Sequence, residues 1–148
     1  MGIEIEEQIV QFINSHRVAH LATADAVGRP AVVPICYVFD GTTFYSAIDK
    51  KPKRVDLMQL RRVRNIRVNP NVSLVIDDYS EKWSELRYVI VHGVAEIMDP
   101  GESVSAEHKT AVEALRSKYE QYRSMGIDGN PIIKIVPRQV RLWAANPS

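Results

Sequence analysis

The first fifty residues alternate between short β-compatible runs and residues that break them, and this rhythm limits the fold more than any other feature. Val18 to Asp25 is small and apolar, Gly28-Arg29-Pro30 interrupts it, and Ala31 to Phe39 resumes as a run rich in valine and aromatics. Asp25-Ala26-Val27-Gly28 reads as a hairpin loop, with Gly28 free to take a positive φ. Asp40-Gly41 is a stronger turn signal and leads into a third run, Thr43 to Ile48. Three antiparallel strands this early predict a meander or a barrel.

Ile5, Ile9, Phe12 and Ile13 recur at helical spacing and predict an amphipathic helix over residues 4–15. Leu57, Leu60, Val63 and Ile66 also suggest a helix, but spacing by three drifts around an α-helix. A tight or irregular turn is therefore expected within that segment. Asn69-Pro70-Asn71 stops it. Val72 to Asp77 follows as a fourth strand, Asp78 to Glu85 as a polar loop, and Arg87 to Met98 as a long fifth strand with a bulge or bend at Gly93. Asp99-Pro100-Gly101 turns the chain into a second amphipathic helix, with a seam of Ala111 or Val112, Leu115, Tyr119 and Tyr122. Ile132 to Val136 and Gln139 to Ala144 read as the last two strands, with Pro137 at their junction. Closure into a barrel would remove the edges that six or seven short strands otherwise expose. A chain of 148 residues with 45% hydrophobic and 25% charged residues supports one core, hence one domain over 1–148.

Several function classes lose ground. No apolar run approaches the roughly 20 residues needed to span a bilayer, and the acidic start (Glu4, Glu6, Glu7) is unlike a signal peptide. The only cysteine, Cys36, cannot form an internal disulfide, which fits a reducing cytoplasm. His16, His20, His92 and His108 show no paired metal-ligand spacing. His20 and His92 fall within predicted strands, where a structural imidazole is the simpler reading. Asp77 and Asp78 would point to opposite faces of a strand and cannot form one acid–base pair. Neither a nucleophile elbow nor a phosphate-binding glycine loop occurs. Redox chemistry carried by a cofactor needs none of these groups.

Charge is distributed unevenly. Between Lys50 and Arg67 stand eight basic residues and one acid, net +7, while the remaining eleven basic and seventeen acidic residues net −6. Lys50-Lys51-Pro52-Lys53-Arg54 follows the third strand and Arg61-Arg62-x-Arg64-Asn65 comes soon after, so a strand end and a helix can converge on one phosphate. Only a minority of the eight are expected to touch it. Trp83 lies in a polar loop, where it covers a planar ring, packs at a subunit interface or folds back into its own subunit. Trp143 reads as core or interface, and Tyr119 and Tyr122 as packing.

These features, in this order, resemble the pyridoxamine 5′-phosphate oxidase-like split-barrel family of flavin-binding proteins, and more narrowly its short bacterial members labelled probable coenzyme F-420-dependent enzymes. The resemblance rests on His20-Leu21-Ala22-Thr23-Ala24-Asp25, Gly28-Arg29-Pro30-Ala31-Val32-Val33-Pro34, Thr43-Phe44-Tyr45-Ser46-Ala47, Lys51-Pro52-Lys53-Arg54, Arg61-Arg62-Val63-Arg64-Asn65-Ile66, Asn69-Pro70-Asn71-Val72-Ser73-Leu74-Val75 and Trp83-Ser84. It implies a mainly β fold with flanking helices, a six-stranded antiparallel split barrel that forms a homodimer with two cofactors at the subunit interface. The cofactor is FMN or the deazaflavin F-420, whose phosphate ends are alike. The resemblance places Val33, Pro34 and Ile35 along the ring system and Ser46 and Ala47 near the ribityl chain and phosphate. Lys53 and Arg62 match phosphate-binding positions, Arg54 and Asn65 are their neighbours, and Trp83 reaches the other subunit's cofactor. The ending from Arg141 to Ser148 lacks the arginine-containing segment with which the oxidase proper grips pyridoxamine phosphate, so that reaction is not expected.

The leading expectation is a flavin- or deazaflavin-dependent oxidoreductase that passes hydride between its cofactor and a small organic substrate, without a dedicated protein acid or with water as the proton donor. A flavin carrier or sensor without turnover is the alternative. A small barrel binding nucleic acid through residues 50–67 is a third reading, weakened because that segment lacks interleaved aromatics for base stacking.

Overall fold

A computed structural model describes residues 2–49, 57–101 and 105–146. The chain run from 30 to 39 enters the sheet twice. Its first part, β2 (Pro30–Ile35), pairs antiparallel with β1 (Ala19–Ala24), in register from Ala24↔Pro30 to Ala19↔Ile35. Its second part, β3 (Val38–Phe39), pairs with β4 (Phe44–Ala47) instead. The remaining strands are β5 (Asn71–Asp78), β6 (Arg87–Met98) and β7 (Ile132–Ala144), and the sheet order is β2-β1-β5-β6-β7-β4-β3. The first and last strands of that order are separated only by Cys36 and Tyr37. One chain run thus joins both ends of the sheet, and counting it once leaves the six strands of a split barrel. The tight turns are where the residue types place them: Gly28 (φ 89°) closes the β1–β2 loop and Gly41 (φ 100°) the β3–β4 loop.

Burial follows the pleat. Val72, Leu74 and Ile76 of β5 and Val89, Val91 and Ala95 of β6 point inward and share one core with Phe44 of β4 and Ile133 and Ile135 of β7. β4 is buried on both faces. Phe44 enters the barrel, whereas Tyr45 and Ala47 face a second cluster outside it, built by helix α3 (Ala106–Lys118) with Val112, Leu115 and Tyr122. Helix α1 (Glu7–Asn14) closes the barrel with Phe12 and Ile13. It is tied down by His16, whose Nε2 lies 2.5 Å from Asp78 Oδ1, and by Arg87, which bonds Asp78 at 3.0 Å and sits 4.9 Å from the Phe12 ring.

Two expectations are sharpened and one is corrected. The three-residue apolar spacing resolves into a 3-10 turn, Leu57–Gln59, followed by helix α2 (Arg61–Val68); three residues per turn is the period of a 3-10 helix. The bulge lies at His92/Gly93, as the glycine suggested. A Cβ on Gly93 would stand 2.7 Å from the Val136 carbonyl oxygen, so only glycine lets β7 approach there. The two final strands are one strand, β7. His92 pairs with Gln139 and Gly93 with Pro137, so the bulge accommodates the missing proline N–H without ending the strand.

Where the chain leaves β1 for β4, its backbone groups lose their sheet partners and side chains replace them. The Tyr119 hydroxyl accepts the Tyr37 N–H (2.9 Å) and lies within donating distance of the Tyr37 and Arg17 carbonyls (2.9 and 2.8 Å). Ser46 Oγ donates to the Cys36 carbonyl (2.7 Å) and Tyr37 donates to the Ile13 carbonyl (2.5 Å). Removing such a partner strands a buried donor. Tyr119→Phe is expected to lower stability by about 1–3 kcal/mol, measured by urea denaturation.

Asp78 gives a second test. Burial raises its carboxyl pKa, but the bonds from His16 and Arg87 outweigh that and hold it below its ordinary value. A depressed folded-state value stabilises above the unfolded pKa and is lost as pH falls through that range. Stability curves of Asp78→Asn are therefore expected to be flatter than wild type between about pH 5 and pH 3.

Candidate cofactor site

The break at Cys36–Tyr37, the end of β4, helix α2 and the 3-10 turn Glu120–Arg123 meet on one side of the barrel. From α2, Arg62 stands half-buried. Burial pulls its pKa down, while the nearby Asp49 carboxylate and Tyr122 hydroxyl pull it up. Asp49 lies two residues beyond β4 and accepts a hydrogen bond from the Tyr122 hydroxyl. Among the described residues no carboxylate lies within ion-pair distance of Arg62. A guanidinium taken partly out of water without a direct counter-ion is a site suited to an anion.

The surrounding groups carry their own electrostatic signature. Burial pushes the Tyr122 hydroxyl well above its ordinary pKa, and the hydrogen bond to Asp49 pushes it further. Burial likewise raises the half-buried Cys36 thiol, which Tyr122 partly offsets. Lys118, at the end of α3, has its ammonium 3.9 Å from the Tyr37 ring centre and no hydrogen-bond partner among the described residues. Burial, and next the charge of Arg17, lower its pKa to about 8. Arg17 itself donates to the Lys118 carbonyl (2.5 Å) and lies 5.6 Å from the Tyr119 ring.

The residues singled out from sequence do not all share one environment. Pro34 is exposed on the outer face of β2, Val33 is half-buried, and Ile35 points into the core. Any contact that Ile35 makes with a ligand on the outer face is through its backbone. Ser46 is 3% exposed with its hydroxyl engaged by the Cys36 carbonyl, and Ala47 packs in the outer cluster. Asn65 is 4% exposed and donates to Thr23 Oγ1 (3.0 Å), so its amide joins α2 to β1. Trp83 sits on the 3-10 turn Trp83–Glu85, 68% exposed, and so does not fold back into its own subunit. Trp143 is also part-exposed and stacks on Tyr88 (5.3 Å). Lys53 and Arg54 lie outside the described residues. Sequence reasoning missed Asp49 and Tyr122. An acid at the edge of a +7 segment and a tyrosine assigned to packing gave no separate signal.

The histidines take structural roles where partners are seen. His108 Nε2 donates to the Asn130 carbonyl (2.8 Å) in the core, and His92 bonds Ser73 on the outer face (2.6 Å). His20 is exposed on β1. Asp77 is exposed while Asp78 turns to His16, on opposite faces as the strand pleat requires.

Comparison with known proteins agrees with this architecture. The family model for pyridoxamine 5′-phosphate oxidase matches residues 5–144, and the chain belongs to that family. It is 27% identical over 122 residues to the 5a,11a-dehydrotetracycline/5a,11a-dehydrooxytetracycline reductase of Streptomyces rimosus, covering 82% of each chain. Among solved structures, a conserved hypothetical protein of Mycobacterium tuberculosis superposes with a TM-score of 0.73 at 25% identity, over 97% of this chain and 87% of that one. The heme storage protein HutZ of Vibrio cholerae gives 0.69 at 19% identity, over 96% and 95%. A protein described as an F420 reductase gives 0.67 at 21%, over 93% and 98%.

The Lys118 environment can be tested directly. A lysine pKa depressed by folding means that the folded state gains stability as pH rises from about 8 towards the unfolded value. Lys118→Met is expected to be more stable than wild type at pH 7, with the gain shrinking by pH 9. Equal pH profiles for the two proteins in chemical denaturation would show that the amine is not penalised by burial.

Proposed function

We propose that this protein is an oxidoreductase that binds FMN or the deazaflavin F-420 and exchanges hydride with a small organic substrate. The observation that carries the reading is Arg62: a half-buried guanidinium without a direct ion pair among the described residues, facing the end of β4. Its setting is a chain of the pyridoxamine 5′-phosphate oxidase family. Support also comes from the 27%-identical relative, whose name is that of a reductase. The fold is shared with a protein described as an F420 reductase. The bound ring supplies the hydride chemistry; the protein's task is to bind, orient and exclude water.

In this reading Arg62 and Lys53 grip the phosphate, with Arg54 beside them. Ser46, Ala47 and Asn65 shape the pocket rather than donate to it, because the Ser46 hydroxyl and the Asn65 amide already have internal partners. The outer edge of β2 at Val33, Pro34 and Ile35 flanks the ring. Trp83 covers the cofactor held by the other subunit of a homodimer. Tyr79, Trp83, Trp143 and Val32, all exposed, are large apolar groups that a second copy would cover. The described residues include no helix long and apolar enough to cross a membrane. The alternative is a carrier or sensor that binds without turnover, a reading favoured by the same fold in a heme storage protein.

Replacing Lys53 and Arg62 together by alanine is expected to weaken cofactor retention by roughly a hundredfold, from two charge-assisted contacts, with the far-ultraviolet spectrum unchanged. Wild-type retention in the double variant would refute the phosphate assignment. Asp49→Asn, which removes the carboxylate facing Arg62, is expected to tighten binding of the same cofactor. Titration with FMN and with F-420 separates the two cofactors. Incubating the reduced complex with a panel of activated alkenes separates enzyme from carrier, since a carrier leaves every alkene unreduced.

A further inference from the structure

Helix α2 has a second basic face that Arg62 does not share. Arg62 lies on the side of the buried Ile66, four residues on, and interacts with Asp49 and Tyr122. Arg61, Arg64 and Arg67 instead line an open cleft of about 580 Å³ between α2 and the β1–β2 loop, where Arg29 forms the opposite wall. Gln59 contributes a polar group to it, Val27, Met58 and Val68 contribute aliphatic surface, and Asn65 reaches its edge with its amide already bonded to Thr23.

The cleft is organised as well as charged. Asp25 Oδ1 accepts the N–H groups of Val27 (3.0 Å) and Arg29 (2.9 Å), and Oδ2 accepts Arg29 Nε (2.7 Å). These bonds, the Arg29 side chain first, hold the Asp25 pKa down at about 2, so the carboxylate stays charged and keeps Arg29 in place. Among the described residues only Nε of Arg29 is engaged, which leaves its two terminal nitrogens for a ligand. Among the described residues no carboxylate pairs with Arg61, Arg64 or Arg67. Among the described residues that line it, four arginines against one aspartate give the cleft a net charge of +3.

We infer that this cleft is a second anion site, separate from the Arg62 site, for an elongated small molecule that carries about three negative charges along a chain. Arg61, Arg64 and Arg67 are set along about 9 Å of helix axis, so an anion with its charges spread along a chain meets the three guanidiniums where they stand. Among the described residues no aromatic ring lines the cleft, so it has no platform for a nucleobase and reads the anionic chain alone. Arginine forks fit phosphate and carboxylate equally well. The shared chemistry is a linear oligoanion, either an oligophosphate or an oligocarboxylate.

The test uses the whole protein in low-salt buffer, titrated calorimetrically with sodium tripolyphosphate, with triglutamate and with a ten-nucleotide single-stranded DNA. The variants are Arg64→Gln combined with Arg67→Gln, both on exposed positions, and separately Arg62→Gln. One oligoanion is expected to bind wild type at one per chain, and the tighter of the two identifies phosphate or carboxylate as the source. The double variant is expected to lose at least tenfold in that affinity, roughly one charge-assisted contact, while keeping its melting temperature and its cofactor retention. Arg62→Gln is expected to leave oligoanion binding unchanged. The proposal is overturned if neither oligoanion binds, if the double variant binds as wild type does, if Arg62→Gln alone abolishes binding, or if the DNA binds more tightly than either.

Discussion

The structure depends on two residues, Cys36 and Tyr37, at which one chain run exchanges its partner strand. A barrel of six short strands closes only if some strand serves both ends of the sheet, and here the run from 30 to 39 does so by pairing first with β1 and then with β4. The exchange leaves backbone donors and acceptors inside the protein without a ladder. An unpaired buried amide is unfavourable enough that the break could not stand alone. It is completed by the Tyr119, Ser46 and Tyr37 hydroxyls, each bonded to main-chain atoms at the break or in the element that caps it.

That requirement explains why polar groups gather on this side of an otherwise apolar barrel. Tyr119 belongs to the end of α3, so α3 must dock across β3 and β4, which buries β4 on its second face. Docking α3 carries Lys118 and Tyr122 to the same place. Tyr122 then holds Asp49, and Asp49 faces Arg62. Groups needed to close the barrel and groups suited to hold an anion are thus neighbours through one chain of contacts. A substitution at Tyr122 would reach Arg62 through Asp49 without touching any ligand.

Much of this was readable from sequence because strands and turns declare themselves locally. The Gly28 and Gly41 turns, the Gly93 bulge and the 3-10 start of α2 each follow from a residue type or a spacing of a few positions. The readings that failed or went unmade depend on contacts remote in sequence. Pro137 ends a strand by every local rule, yet β7 runs through it because Gly93, more than forty residues earlier, makes room. The hydrogen bonds from Ser46 to Cys36 and from Asn65 to Thr23 are likewise not announced by either residue's neighbours in sequence. The pairing of Asp49 with Tyr122 spans 73 positions and leaves no trace in either neighbourhood.

The concentration of charge in residues 50–67 was legible as a number, but its meaning lies in how a short helix divides it. On eight residues of α2, Arg62 turns inward, where partial burial strengthens its pull on any anion. Arg61, Arg64 and Arg67 turn outward, where water screens them and only several acting together can hold a ligand. The two sets obey different rules for the same reason, their distance from bulk water. If both proposed anion sites are occupied, raised salt should therefore empty the outer cleft well before it loosens a phosphate at Arg62. Salt dependence, more than composition, is what would distinguish the two proposed roles of this one helix.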